Sequence, residues 1–491
     1  MLRALTVVHA LGLMLVVFSI SYLMPILASL IYRDDTLIDF VQALLLTSVA
    51  GFLMWFFTRR YKGELSIRHG YLLVVAMWTA MPAVATLPLL LVLHDLSFTD
   101  AYFETMSGLT TTGATVLTGL DNLPPAINLW RHELNWLGGM GIIVLAVAIL
   151  PLLGIGGRQL FKAETPGPMK DSALTPRITE TARNLWLVYL AITIACIASL
   201  KVAGLTTEQG MSWLDAICHA FAAMGLGGFS THDQSVGYFD SPAIEGVLIF
   251  FMLIAAMNFA THFLVWREKK LTPLWGDVES LTTVGVVLAS CLGIAIFLQW
   301  QGVYPNFWTA LRHASFNLVS LATDCGFASV DFNQWPIFAP MWMLLLSCLT
   351  ASSGSTGGGI KMVRTLILFK QAGREFLNLL HPAVVNPMKM GGAVIPNNIV
   401  FSVLGFVFLY FMSVATLTFV LLISGLDFIS AFSAIIACIN NAGPGLGVVG
   451  PASNFGVLSD FQIWVCTIAM LLGRLEIFTL LILFTPNFWR R

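Results

Sequence analysis

The chain has 491 residues, of which 57% are hydrophobic and 10% charged, with a formal net charge of −1. Soluble domains carry about 25% charged residues, so this composition excludes an ordinary soluble fold and reads as a membrane protein. The balanced charge gives no basic surface for nucleic acid.

Taken in chain order, the first apolar run lies near 4–31, behind Met1-Leu2-Arg3. It is long for a signal peptide and lacks an A-x-A site, so it is expected to be a retained span. Further spans are predicted at 37–57, 71–93, 136–153, 184–204, 243–266, 281–300, 337–369 (interrupted), 399–424 and 461–484. Each is near the ~20 residues a bilayer needs, giving about ten crossings. The N-terminus, "RRYKGELSIRH", the 154–183 connector, "WREKK", 361–389 and Arg490-Arg491 hold 20 of the 25 Lys and Arg residues. The positive-inside rule then predicts that these segments and both termini are cytoplasmic. The opposite connections at 205–242 and 425–460 contain no Lys or Arg.

Four of those opposite connections contain an amphipathic stretch that ends in a glycine turn: "DAYFETMSGLTTTGAT", "DAICHAFAAMGLGGFS", "HASFNLVSLATDCGFAS" and "SAFSAIIACINNAGPGLG". Aligned on Gly113, Gly228, Gly326 and Gly443, each has an alanine twelve residues earlier (Ala101, Ala216, Ala314, Ala431). The recurrence between two spans reads as an internal repeat. It divides the chain into an extra N-terminal helix pair (1–66) and four units at 67–165, 166–270, 271–378 and 379–491. The expected fold is an all-α polytopic membrane protein with four repeats of helix, pore helix, filter loop and helix around one pore. Non-helical backbone at membrane depth must be buried in protein or line water. Four such turns about one axis would aim backbone carbonyls inward, where they can replace the hydration shell of a potassium ion.

The third unit also carries "TASSGSTGGGIK" (Thr350–Lys361), where clustered glycines should break the helix. It reads either as an intramembrane loop that hinders permeation or as a kinked span packed through small residues. In the last span, "TIAMLLGRLEIFTLLILF" places Arg474 at membrane depth. A charge there costs roughly 2.5 kcal/mol or more, so it should face protein or water. Two compatible roles are expected: an electrostatic barrier below the filter, and a structural arginine bonded to loop carbonyls. Glu476 points to another face and should pair with a different helix.

Other motifs carry less. "GLGVVG" fits GxGxxG but lies in no βαβ unit, and "SGSTGGGIK" lacks the GK[ST] ending of a phosphate loop. The nine histidines include no HExxH pair, and His262 reads as a hydrogen-bonded packing residue. Asp233, Asp240 and Glu245 read as solvated loop charge or as attractors of cations to the mouth. Seven scattered cysteines, with no CxxC, suggest neither a disulfide framework nor a zinc site.

The segments "SGLTTTGATVLTGLDNLP", "WLGGMGIIVLAVAILPLLG", "GGFSTHDQSVGYFDSP", "GSTGGGIK", "NNAGPGLGVV" and "GRLEIFTLLILFTPNFWR" together resemble the Trk/Ktr/HKT superfamily of potassium-translocating subunits, in its bacterial TrkH/TrkG branch. The resemblance runs over essentially the whole chain and implies a gated, channel-like potassium uptake pore in the bacterial inner membrane. It implies one filter glycine per repeat, with carbonyls from Thr111, Thr112 and Gly113; Leu226, Gly227 and Gly228; Asp324, Cys325 and Gly326; and Asn441, Ala442 and Gly443. Glycine in all four repeats favours potassium, whereas Asp324 departs from the small or hydroxyl residue expected there. That carboxylate would either stand near the pore or tie back to the pore helix. The same resemblance favours a gate at Gly354, Gly357, Gly358, Gly359 and Lys361, working with Arg474. It further implies a homodimer and a cytosolic TrkA-type nucleotide-binding regulatory subunit; "FKAETPGPMKDSALTPRITETARNL" reads either as a docking surface for it or as a solvated connector. Potassium would be the transported ion, with no organic cofactor on this chain. A secondary transporter coupling potassium to protons or sodium is the alternative. A membrane enzyme ranks behind both, because no acid, base and nucleophile converge.

Overall fold

Long apolar runs without helix breakers can satisfy their backbone only internally, and they form straight helices. The structure, a computed structural model, describes residues 2–61, 66–141, 178–207, 210–391 and 393–490. The part of the predicted 136–153 span beyond Gly141, and most of the 154–183 connector, lie outside the described residues. Six helices are long and apolar enough to cross a membrane: Leu5–Tyr32, Leu37–Thr58, Arg68–Val92, Ala182–Gly204, Val278–Trp300 and Asn397–Ile423. The first two pair with each other and lean on the next unit, where Tyr22 stacks on Trp130 at 4.6 Å and donates to the Val84 carbonyl at 2.8 Å. Among the described residues the only strands are a two-residue pair, Lys389–Met390 against Ala393–Val394.

Two predicted spans are not continuous. Pro242–Ala255 and Phe259–Glu268 meet at 94°, and Asp460–Arg474 and Phe478–Phe484 meet at 106°. Apolar composition on either side conceals both breaks, although the second falls at the charged residues Arg474 and Glu476. At the first, the Asn258 side chain accepts from the Ala260 amide and starts a new helix. At the second, Glu476 and Ile477 take positive φ values of 48° and 56°, which ends the right-handed helix. The interruption expected in 337–369 is present between Phe338–Leu349 and Met362–Leu380.

Four short helices occupy the centre: Phe98–Leu109, Trp213–Gly225, Phe307–Ala322 and Phe428–Asn440. Each begins alike. Ser97, Ser212, Asn306 and Asp427 accept from the amides of Asp100, Asp215, Thr309 and Ser430 at 2.8–3.1 Å. Such caps are worth about 1 kcal/mol each and fix where the helix starts. The third helix, at 16 residues, is about one turn longer than the others, at 12 or 13. From Ala101 to Leu109, every residue of the first is buried.

Candidate functional site: a ring of four glycine turns

All four short helices end in one motif. The amides of Thr112, Gly227, Cys325 and Ala442 donate to the carbonyls of Ser107, Ala222, Ser320 and Ala437 at 2.8–2.9 Å. The residue before each donor is left-handed: Thr111, Leu226, Asp324 and Asn441 have φ between 53° and 65°. Glycine usually fills this position; Asp324 and Asn441 adopt it more easily than most residues, whereas Thr111 and Leu226 each carry roughly 1–2 kcal/mol of strain, a cost that tends to collect at functional sites. Two residues later the chain turns left-handed again, at Gly113, Gly228, Gly326 and Gly443, with φ of 78°, 64°, 96° and 92°.

The glycines interlock in sequence. A methyl group built on Gly113 would lie 1.9 Å from the Gly227 carbonyl oxygen, and one on Gly228 would lie 2.1 Å from that of Cys325. From Gly326 the distance to the Ala442 oxygen would be 2.7 Å, and from Gly443 to that of Thr112 it would be 3.2 Å. Each turn therefore abuts the next and the fourth returns to the first. All twelve residues expected at the filter lie in this one closed ring.

The chain then leaves each turn on a common exit face, where neighbours are tied pairwise. Arg131 pairs with Glu104 at 2.7 Å, both fully buried, and donates to the Ser230 carbonyl at 3.3 Å. The Gly237 amide donates to Ala328 O at 3.1 Å, and the Gly447 amide to Asn333 Oδ1 at 3.1 Å. The Phe455 amide closes the circle on Thr115 O at 2.9 Å. Glu104 also accepts from Thr115 Oγ1 and the Val116 amide at 3.0 and 3.1 Å, so the pair braces the first turn against the second. Removing one partner of such a buried pair typically costs about 3–5 kcal/mol. Sequence reasoning missed this pair, although a buried charge in an apolar segment was the signal already followed at Arg474.

An open pocket lies on the exit face, bounded by Gly113, Gly228, Gly326, Pro444, Arg131 and His232. His232 is hydrogen-bonded to Asp121, sits 3.5 Å from Asp215 and stacks on Tyr238 at 3.6 Å. Burial opposes its charged form, but the two carboxylates outweigh burial and raise its pKa above the ordinary histidine value. A raised pKa contributes stability that is complete below the ordinary value and is lost as pH rises through the folded one. The melting temperature of the purified protein is therefore expected to fall from about pH 6 to about pH 9, and to fall less in H232Q. Equal pH slopes in the two proteins would show that this histidine does not link the loops. Asp240 and Glu245 are bound to Arg312 at 2.8 and 2.6 Å, and Asp233 accepts from the Leu120 amide at 3.1 Å. These carboxylates serve as structural acceptors.

The opposite face, made by the ends of the short helices, is covered by the glycine-rich segment. Thr356 Oγ1 donates to Met224 O at 3.2 Å. The Gly358 amide donates to Asp324 Oδ2 at 3.0 Å, and a methyl on Gly358 would fall 1.8 Å from Asn440 O. Arg474 bridges the rest, donating to Thr111 Oγ1 at 3.1 Å, Thr356 O at 3.2 Å and the carbonyls of Gly138 and Gly139. The segment and Arg474 thus reach all four turns. Helix C-termini present partial negative charge, and Arg474 places a fixed positive charge where a passing cation would be favoured.

Not every expected gate residue sits there. Gly354 lies outward, its carbonyl accepting from the Phe259 amide at 3.1 Å, and Gly359 packs against the carbonyls of Ser347 and Cys348. Lys361 is buried and folds back on the Gly357 carbonyl. The Asp324 carboxyl is not tied back to the pore helix: it holds the glycine-rich segment where that segment covers the ring. Glu476 pairs with Arg364 on the helix Met362–Leu380, whose guanidinium lies 4.0 Å from the Phe406 ring. His262 bonds Ile254 O at 2.9 Å, as a packing residue would. All seven cysteines are buried and free.

A many-helix bundle with half-crossing helices and a closed ring of glycine turns defines a membrane transport protein. A family model described as "TrkH: Cation transport protein" matches residues 37–491. The Trk system potassium uptake protein TrkH of Salmonella typhimurium is 45% identical over 489 residues, covering 99% of each chain. TrkG of Escherichia coli K12 is 39% identical, covering 99% of this chain and 98% of its own. The crystal structure of the potassium transporter TrkH from Vibrio parahaemolyticus superposes with a TM-score of 0.88 at 43% identity, over 99% of both chains. The chain belongs to the TrkH family of cation transport proteins and is not an enzyme.

Proposed function

We propose that this chain takes up potassium across the bacterial inner membrane through a gated, channel-like pore. The carbonyls of the twelve ring residues coordinate the ion, and the segment around Gly357 and Gly358, with Arg474, is the gate. The observation that carries the reading is the interlocked ring, in which each glycine leaves room for a neighbour's carbonyl oxygen. Inward flow is driven by the membrane potential, worth about 2.3 kcal/mol per charge per 100 mV. The termini are cytoplasmic, the chain works as a homodimer, and a cytosolic TrkA-type nucleotide-binding subunit moves the gate. Relatives named as potassium uptake proteins support the choice of ion.

Potassium flux in proteoliposomes under imposed proton and sodium gradients tests the mechanism. Flux should follow the potassium gradient and the voltage alone. Obligatory coupling to protons or sodium would replace the pore with a secondary transporter.

A further inference from the structure

The ends of the glycine-rich segment converge on one atom. Glu279 Oε1 accepts from the Ser353 amide at 2.6 Å and from the Val363 amide at 3.0 Å. One turn along the same helix, Val278–Trp300, Thr283 Oγ1 donates to Thr350 O at 2.8 Å. This helix start is itself braced. Asp277 accepts from the Ser280 amide at 3.2 Å and from Thr261 Oγ1, on the helix after the 94° bend, at 2.9 Å. The middle of the segment is tied to the ring, to Arg474, to both sides of the 94° bend through Ala255 and Phe259, and to Cys348 O through the Ile360 amide. A charged acceptor shared by two amides is stronger than a neutral one and fixes their separation.

The geometry points to Glu279 as the clamp that cinches this segment into a closed loop and holds it against the ring. It is a positioning residue: it touches neither the ring nor the pathway and acts through the loop. The consequence for transport rests on the gate reading given above, whereas the clamp itself does not.

The test uses the full chain in proteoliposomes, with Ser355→Cys as a reporter on the loop. The native cysteines are buried, so the unsubstituted chain supplies the blank. Glu279→Asp draws the acceptor back by one methylene, so it cannot reach both amides. Glu279→Gln keeps an oxygen at full reach. Thiol labelling of the reporter is expected to be about tenfold faster in Glu279→Asp, as the loss of one or two net hydrogen bonds implies, and close to the parent rate in Glu279→Gln. Basal potassium flux is expected to rise with labelling. Unchanged labelling in Glu279→Asp overturns the clamp, and so does Glu279→Gln labelling as fast as Glu279→Asp. Faster labelling with unchanged flux upholds the clamp and removes the loop as the gate.

Discussion

Gly113→Ser is expected to cut potassium flux by about tenfold or more and to weaken discrimination against sodium, measured with both cations in proteoliposomes. Two backbone facts give the direction. A side chain at φ 78° is strained by roughly 1–2 kcal/mol, and its Cβ would lie 1.9 Å from a carbonyl oxygen. The Cβ position is fixed by the backbone and it meets main-chain atoms of Gly227, so no rotamer change relieves the overlap. The ring must spread, and its carbonyls lose their spacing. The four positions should also differ in severity. At Gly443 the nearest atoms to an added Cβ are 2.9 Å and 3.2 Å away, so Gly443→Ser should be milder. Unchanged rate and selectivity in Gly113→Ser, or greater damage from Gly443→Ser, would refute the filter assignment.

Arg474→Ala is expected to raise basal potassium flux by about ten- to a hundredfold in the absence of any regulatory subunit. A unit charge about 6 Å from a cation, at an effective dielectric near 20, opposes it by roughly 3 kcal/mol. The same substitution releases Thr356, Thr111 and the last carbonyls of the helix Pro125–Gly139. Arg474→Lys separates the two contributions, because it restores the charge without the planar fork that reaches three segments. Flux in the lysine variant near that of the parent assigns the barrier to the charge, and flux near that of alanine assigns it to the contacts spread over three segments. Flux in Arg474→Ala equal to that of the parent would leave Arg474 a purely structural residue.

What was legible in the sequence was whatever recurs. Four glycine turns between spans pointed to the ring, and the run Gly357–Gly359 pointed to a broken span. The caps were equally legible and went unread. Ser97, Ser212, Asn306 and Asp427 are each followed by an aromatic residue and, two further on, by Asp, Thr or Ser. The bend at Asn258 was not legible, because hydropathy continues across it without a glycine, and at the second bend the charges of Arg474 and Glu476 read as features of one continuous span. Asp324 looked anomalous from sequence because its reason is a contact with Gly358, on a segment whose path no local pattern specifies. Glu279 likewise reads as an ordinary first-turn carboxylate until two distant amides are seen to meet on it.

The ring closes between its first and last members. Asn441 Nδ2 donates to Thr112 Oγ1 at 2.9 Å across 329 positions of chain, and Phe455 joins Thr115 beside it. Contacts this remote in sequence form late, and a growing chain folds its N-terminal part first. A ribosome that has delivered only the first three short helices has therefore delivered an open ring, a barrel with a missing stave. The final unit acts as a keystone. Nascent chains halted before about residue 440 should be unusually short-lived in the cell, while full-length chains with a weakened filter survive.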